Sequence, residues 1–204
     1  VIFSVMPWNF PFWQVLRFAI PSIAAGNCII LKHAENVTGC AKAIEKMFLN
    51  CNFNEGVFQH LAVDKKNTEQ IISDKRVKAV TFTGSTKVGR IIGELAGKNL
   101  KKSVLELGGN DPYIIFDDAD IKESAELCAK CRLINSGQSC IAAKRFIVHQ
   151  NIYEDFLGQF KKSMESYKYG DPYDENTKLG PLVSVKDRDN VHQIVEKFSS
   201  NENK

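Results

Sequence analysis

The chain has 204 residues, 44% of them apolar and 25% charged, with 27 basic against 24 acidic side chains and a formal net charge of +3. Ordinary globular composition, at a length that buries roughly 70% of the unfolded surface, excludes a disordered, collagenous or coiled-coil chain. So mild and scattered a basic excess leaves no electrostatic footprint for nucleic acid.

Apolar runs alternate with helical patterns along the chain. Residues 1–5 predict a strand, 12–25 a helix that tolerates Pro21 as a kink, and 28–31 a second strand. Residues 38–51 predict an amphipathic helix with Cys40, Ala41, Ile44, Met47 and Phe48 on one face. After Gly56 come a strand over 57–63, a short helix over 69–73 capped by Thr68, a strand over 77–82, a helix over 85–100 and a strand over 103–107. The pattern restarts after Gly109: strand 112–116, helix 121–134 capped by Asp120, strand 144–149, helix 152–167, a polar loop over 170–182 and a last helix over 185–198.

That alternation predicts an α/β fold with a parallel sheet covered on both faces, and a domain boundary near Gly108-Gly109 dividing residues 1–107 from 108–204. Ligands of such sheets bind beyond the carboxyl ends of the strands. Those ends fall at residues 7–9, 32–35, 84–85 and 106–109, and every unusual cluster of the first half falls there too.

Residues 1–31 carry one formal charge, Arg17, which raises the question of a membrane span; Pro7, Pro11 and Pro21, with Asn9, Gln14, Ser22 and Asn27, argue against one. No secretory signal pattern is visible, so the Asn36-Val37-Thr38 sequon carries no weight and the six cysteines are expected as reduced thiols of a cytoplasmic protein. Cys128-Ala129-Lys130-Cys131 is a C-x-x-C without a second pair or a spaced His pair, inside an expected helix; it reads as helix cysteines rather than a zinc or redox site, and no metal site is predicted. A chain that opens in an apolar strand-like run and closes on a polar tail reads as cut from something longer.

Five places could carry chemistry. Gly84 and Gly89 have P-loop spacing, but Arg90-Ile91 stands where Lys and Ser/Thr are required, so ATP chemistry is disfavoured. Phe82-Thr83-Gly84-Ser85 still opens a helix at a strand end, which suits an anion or, more plainly, makes Ser85 an N-cap. Lys32, three residues before Glu35, reads as a ribose clamp or as a solvated strand end. Cys140, in Asn135-Ser136-Gly137-Gln138-Ser139-Cys140, is an accessible loop thiol or an inert small hydrophobe. Glu106, between Leu105 and Leu107, is a partly desolvated carboxylate suited to general-base work, or an edge-strand surface residue. Asn9, between Trp8 and Phe10 and flanked by Pro7 and Pro11, is a stiffly held amide donor for an oxyanion or a turn residue before proline.

Together, Met6-Pro7-Trp8-Asn9-Phe10-Pro11, Phe82-Thr83-Gly84-Ser85-Thr86, Leu105-Glu106-Leu107-Gly108-Gly109-Asn110 and Gly137-Gln138-Ser139-Cys140 resemble the signature blocks of the NAD(P)-dependent aldehyde dehydrogenases. Their order matches, with Glu106 and Cys140 34 positions apart. The resemblance implies a Rossmann-like parallel-sheet cofactor domain over 1–107 and the first part of an α/β catalytic domain over 108–204. It implies Cys140 as the nucleophile that forms a thiohemiacetal, Glu106 as the base for thioester hydrolysis, and Asn9 as the oxyanion donor. Trp8, Asn9, Lys32, His33, Ala34, Glu35, Gly84, Ser85 and Leu107 match cofactor-contact positions. The cofactor implied is NAD, because the Glu35 carboxylate accepts from a ribose 2′-hydroxyl and repels a 2′-phosphate; Lys32 and His33 leave NADP open. The partner is a small aldehyde, with Gly137–Phe146 most similar to the succinate-semialdehyde branch. The family is homo-oligomeric and about twice this length. Against it, the segment before the Pro-Trp-Asn block, the Glu-Ile-Phe-Gly-Pro block and the dimer-building arm are absent here. The rival expectations are a non-catalytic nucleotide-binding remnant and a C-x-x-C thiol oxidoreductase.

Overall fold

A computed structural model describes residues 1–201 and divides the chain into two compact units, Val1–Gly108 and a second that starts at Gly109. The first unit is a five-stranded, wholly parallel sheet in the order β3-β2-β1-β4-β5. Its strands are β1 (Ile2–Met6), β2 (Ile29–His33), β3 (Phe58–His60), β4 (Ala79–Thr83) and β5 (Lys102–Glu106), and its helices are α1 (Trp13–Ala24), α2 (Thr38–Asn50), α3 (Thr68–Ser73) and α4 (Thr86–Lys98).

Strands buried on both faces explain the near-continuous apolar runs. Along β1, Phe3 enters a core with Ile72 of α3 and Ile92 and Ala96 of α4, while Met6 enters another with Val15 and Ala19 of α1 and Ile44 and Phe48 of α2. Phe3 is fully buried, a contribution of about 1.5–3 kcal/mol from that side chain. The α/β expectation is therefore met, with α1 and α2 on one face of the sheet and α3 and α4 on the other.

Several local expectations are met and others need correction. Ser85 caps α4, its Oγ accepting from the Val88 N–H at 3.3 Å, and Asp120 caps α5 (Ile121–Leu133), accepting from Glu123 N–H at 2.8 Å. Helix α1 contains Pro21, as expected, and closes on Gly26, whose φ of +84° suits glycine. Thr68 is not a cap: a 3₁₀ turn at Lys65–Asn67 leads directly into α3, so Thr68 is already helical. The strand expected over 57–63 stops at His60, because the Val63 N–H turns back to the Leu61 carbonyl at 3.1 Å and bends the chain off the sheet. Met47 is exposed; the buried stripe of α2 is Ala41, Ile44 and Phe48, spaced i, i+3, i+7.

The second unit holds the parallel pair β6 (Pro112–Ile115) and β7 (Arg145–Val148), with α5 and α6 (Tyr153–Glu165) packed over a core of Ile115, Ala125, Cys128, Ile152 and Phe156. Phe160 joins that core by stacking on Phe156, ring centroids 5.8 Å apart, and by a tilted contact with Phe146 at 4.9 Å. Helix α7 (Val185–Asn201) leaves Val191, Ile194, Val195 and Phe198 exposed. Among the described residues no helix is long and apolar enough to cross a membrane.

Candidate active site

In the strand order β3-β2-β1-β4-β5, the chain works outward in one direction from β1 and then returns to start again at β4. The switch point lies between β1 and β4, where open α/β sheets hold ligands. The turns that leave these two strands are residues 7–11 and Gly84-Ser85, so Trp8 and Asn9 flank one side of it and Gly84 and Ser85 the other. Trp8 and Asn9 are half-buried.

A buried imidazole holds the first turn. His33, the last residue of β2, is 4% exposed, and its Nε2 lies 2.9 Å from the Pro11 carbonyl. A carbonyl only accepts, so Nε2 carries the proton. Nδ1 lies 3.0 Å from the Ala34 N–H and 3.2 Å from the Met6 carbonyl. The Ala34 N–H also reaches the Met6 carbonyl at 3.0 Å. His33 and Ala34 thus tie both ends of the Met6–Pro11 turn to the end of β2.

At the β4 end, Gly84 is required because an added Cβ would stand 2.6 Å from the tip of the Phe82 ring. Its N–H donates to the Glu106 carbonyl at 3.0 Å, which keeps the β4 and β5 ends in step. Leu107 packs into the α4 core beside Gly89, where any side chain on Gly89 would strike it. The first-turn amides of α4 point past an exposed start at Ser85, Thr86 and Lys87, a ready anion seat.

At the β2 end, Lys32 is 6% exposed, so the solvated-strand-end alternative does not hold. A cavity of about 290 Å³ opens there, lined by His33, Glu35, Thr38, His60 and Asp64 among others. The sequence did not single out His60. Burial pushes its pKa below the ordinary 6.5, against the raising effect of Glu45. The desolvated setting expected for Glu106 is corrected. Leu105 and Leu107 turn to the core while Glu106, by the two-residue period of a strand, faces the other way. Its side chain is 54% exposed and meets Arg17 Nη2 at 3.5 Å. Arg17, the one charge of an otherwise uncharged stretch, was the sequence signal for that pairing. A cavity of about 160 Å³ beside the pair is lined by Gln14, Thr81, Thr83 and Val104, and the Gln14 amide oxygen is buried without a hydrogen-bond partner.

Cys140 belongs to the second unit, in a turn between α5 and β7. Ser139 before it is buried and Cys140 is exposed. The approach is unusual: Asn135, Ser136 and Gly137 all have left-handed backbones, with φ of 51°, 56° and 77°. The turn is fastened to the following loop, Ser136 Oγ donating to the Gly180 carbonyl at 2.9 Å and Gln138 Oε1 accepting from the Val183 N–H at 2.8 Å. Lys144 Nζ donates to the Cys140 carbonyl at 2.6 Å. All six cysteines are free thiols. Burial and the neighbouring Cys131 push the Cys128 thiol pKa up, which disfavours the thiolate a redox pair needs.

These features define an α/β protein with a nucleotide-type sheet edge and a separately mounted, exposed cysteine. Residues 1–204 match the family described as "Aldehyde dehydrogenase family", and the chain belongs to that family. It is 48% identical over 195 residues to an aldehyde dehydrogenase of Paenarthrobacter nicotinovorans, covering 96% of this chain and 43% of the relative. It is 46% identical over 196 residues to succinate-semialdehyde dehydrogenase [NADP(+)] 1 of Mycobacterium tuberculosis, with the same two coverages of 96% and 43%. The crystal structure of succinic semialdehyde dehydrogenase from Streptococcus pyogenes in complex with NADP+ superposes with a TM-score of 0.93 at 40% identity, over 96% of this chain and 43% of that one. The chain spans less than half the length of these relatives.

Proposed function

We propose that the chain carries the nucleotide-binding and nucleophile-bearing parts of an enzyme that oxidises an aldehyde to a carboxylate with NAD(P)+. The observation that carries this reading is Cys140, an exposed thiol mounted on a constrained turn in a chain of the aldehyde dehydrogenase family. In this reading residues 1–107 form the NAD(P)-binding domain and residues 108–204 begin the catalytic domain.

The fold fits a dinucleotide on two counts: the exposed start of α4 at the switch point, and the cavity of about 290 Å³ at the β2 end with Glu35 in its wall. The α4 start, with Gly84 and Ser85, would take the pyrophosphate, and Lys32 and Glu35 the adenosine ribose. His33, Ala34, Trp8 and Leu107 complete the surround; of these His33 has both ring nitrogens engaged with backbone. Bound there, the nicotinamide supplies the hydride acceptor. Glu35 favours NAD over NADP, although two of the relatives are named for NADP+; replacing Glu35 by Ser should shift the kcat/KM ratio towards NADP.

The chain's own groups account for the rest. Cys140 Sγ bonds to the aldehyde carbon as the carbonyl electrons move to oxygen, and the Asn9 amide with the Cys140 N–H stabilises that oxyanion. Hydride loss leaves a thioester on Sγ. Glu106 takes a proton from the water that attacks it, and the carbon–sulfur bond breaks to release the acid and the thiolate. Succinate semialdehyde is the first substrate to try, on the strength of the relatives' names. The test is to follow nicotinamide reduction by absorbance with an aldehyde series. Turnover that disappears in Cys140→Ala supports the reading. Nucleotide binding with no turnover in the unaltered chain supports the non-catalytic remnant instead.

A further inference from the structure

Arg132 lies in the last turn of α5, and its guanidinium reaches forward over the Cys140 turn. Nη1 donates to the Ala143 carbonyl at 2.6 Å and Nη2 to the Gly137 carbonyl at 2.8 Å. Those two carbonyls stand one on each side of Cys140. A single side chain therefore pins both shoulders of the turn, with the Ala143 N–H also held by the Cys131 carbonyl at 3.3 Å.

The backbone explains why such a clamp is needed. Three consecutive residues are left-handed, and one of them, Ser136, bears a side chain that resists that conformation. Strained backbone of this kind persists only where the surroundings over-determine it. Gly137 serves the clamp directly: a Cβ there would lie 2.8 Å from Arg132 Nη2. The other ties each reach one side only. Lys144 holds the Cys140 and Ala142 carbonyls from an exposed flexible stem, and Ser136 and Gln138 hold the entry to the turn. Two carbonyls set apart in this way call for the fixed fork of a guanidinium, which an ammonium cannot reproduce.

We infer that Arg132 is the positioning residue of the nucleophile turn: it fixes where Cys140 stands without touching the substrate. This rests on the reading of Cys140 as the nucleophile. The test compares Arg132→Ala, Arg132→Lys and Cys140→Ala in the full chain. Arg132→Ala should lower kcat about 10²-fold, the scale of a misplacement near 1 Å, with both KM values little changed. Arg132→Lys should fall between that variant and the unaltered protein. Low millimolar guanidinium ion should restore part of the Arg132→Ala kcat and none of Cys140→Ala. Amide hydrogen exchange should rise over residues 137–143 in Arg132→Ala while β6 and β7 stay protected. Unchanged kcat, or a loss that guanidinium does not rescue and that accompanies faster exchange throughout the second unit, overturns the inference. If Cys140→Ala keeps its turnover, the nucleophile reading fails, and the catalytic role of Arg132 with it. The exchange data then still show separately whether Arg132 holds the turn.

Discussion

The turn that carries Asn9 and the turn that carries Cys140 are fastened by opposite means. The first is closed by a buried imidazole, with His33 Nε2 donating to the Pro11 carbonyl and Nδ1 set against the Ala34 N–H and the Met6 carbonyl. Proline at both flanks sets the backbone angles, so little is asked of the strap beyond orientation. The second turn has three left-handed residues and is closed by a half-buried cation whose fork takes two carbonyls. A stiff turn is finished by one sealed hydrogen-bonding ring, whereas a strained turn needs a charge-assisted clamp, whose bonds are individually stronger.

The largest effect should come from the amide that the stiff turn presents. Asn9→Ala leaves the strap in place and removes the donor, and kcat should fall about 10²–10³-fold, the usual loss for one oxyanion donor. Steady-state kinetics with an unchanged kcat would take Asn9 out of the mechanism and leave His33 holding a turn of purely structural purpose. Next comes the strap itself. His33→Leu keeps the volume apolar but strands the Pro11 carbonyl, and should cost about 1–3 kcal/mol in a urea titration. A midpoint equal to that of the unaltered protein would show that the prolines alone hold the turn. The comparison is sharpened by Gly137→Ala. A left-handed alanine costs about 1–2 kcal/mol, and its Cβ crowds the guanidinium. Both stability and kcat should drop, and loss of neither would mean that the strain is not held by Arg132.

How far the sequence disclosed these features depended on how local the cause was. Strand and helix alternation follows from apolar spacing, so the parallel α/β sheet was readable. So were the caps at Ser85 and Asp120, because a cap is decided within three residues. The β1 and β4 turns, Cys140 and Glu106 stood out by their neighbours. What escaped is non-local. Glu106 seemed desolvated because Leu105 and Leu107 adjoin it in sequence, yet a strand sends neighbours to opposite faces and Glu106 meets Arg17, far along the chain. Arg132 sits eight positions before Cys140, and nothing in the spacing says that a left-handed turn brings both shoulders of the cysteine within its reach. His33 was placed among the cofactor contacts, while its bond to Pro11 depends on β1 and β2 pairing in register, Met6 beside His33.

The smallest predicted effect separates the two devices by acid. A guanidinium stays charged at any ordinary pH, so a clamp built on one should not respond. In the first unit His60, beside the same cavity as His33, has its pKa lowered, chiefly by burial; Glu45 opposes that shift, and the charges of His33, Lys42 and Lys32 add to it. A histidine with a depressed folded pKa binds fewer protons folded than unfolded once the pH drops below the ordinary 6.5. Its share of stability is therefore complete above that value and declines as the pH falls towards the folded pKa. Urea midpoints taken between about pH 7.5 and 5.5 should decline in the unaltered protein, and His60→Gln should flatten part of that slope. The exchange rates over residues 137–143 should show no corresponding pH step once corrected for intrinsic chemistry. If His60→Gln leaves the slope as it was, the acid sensitivity lies elsewhere. If the Cys140 turn opens over the same range, the contrast between a proton-sensitive first unit and an insensitive arginine clamp is lost.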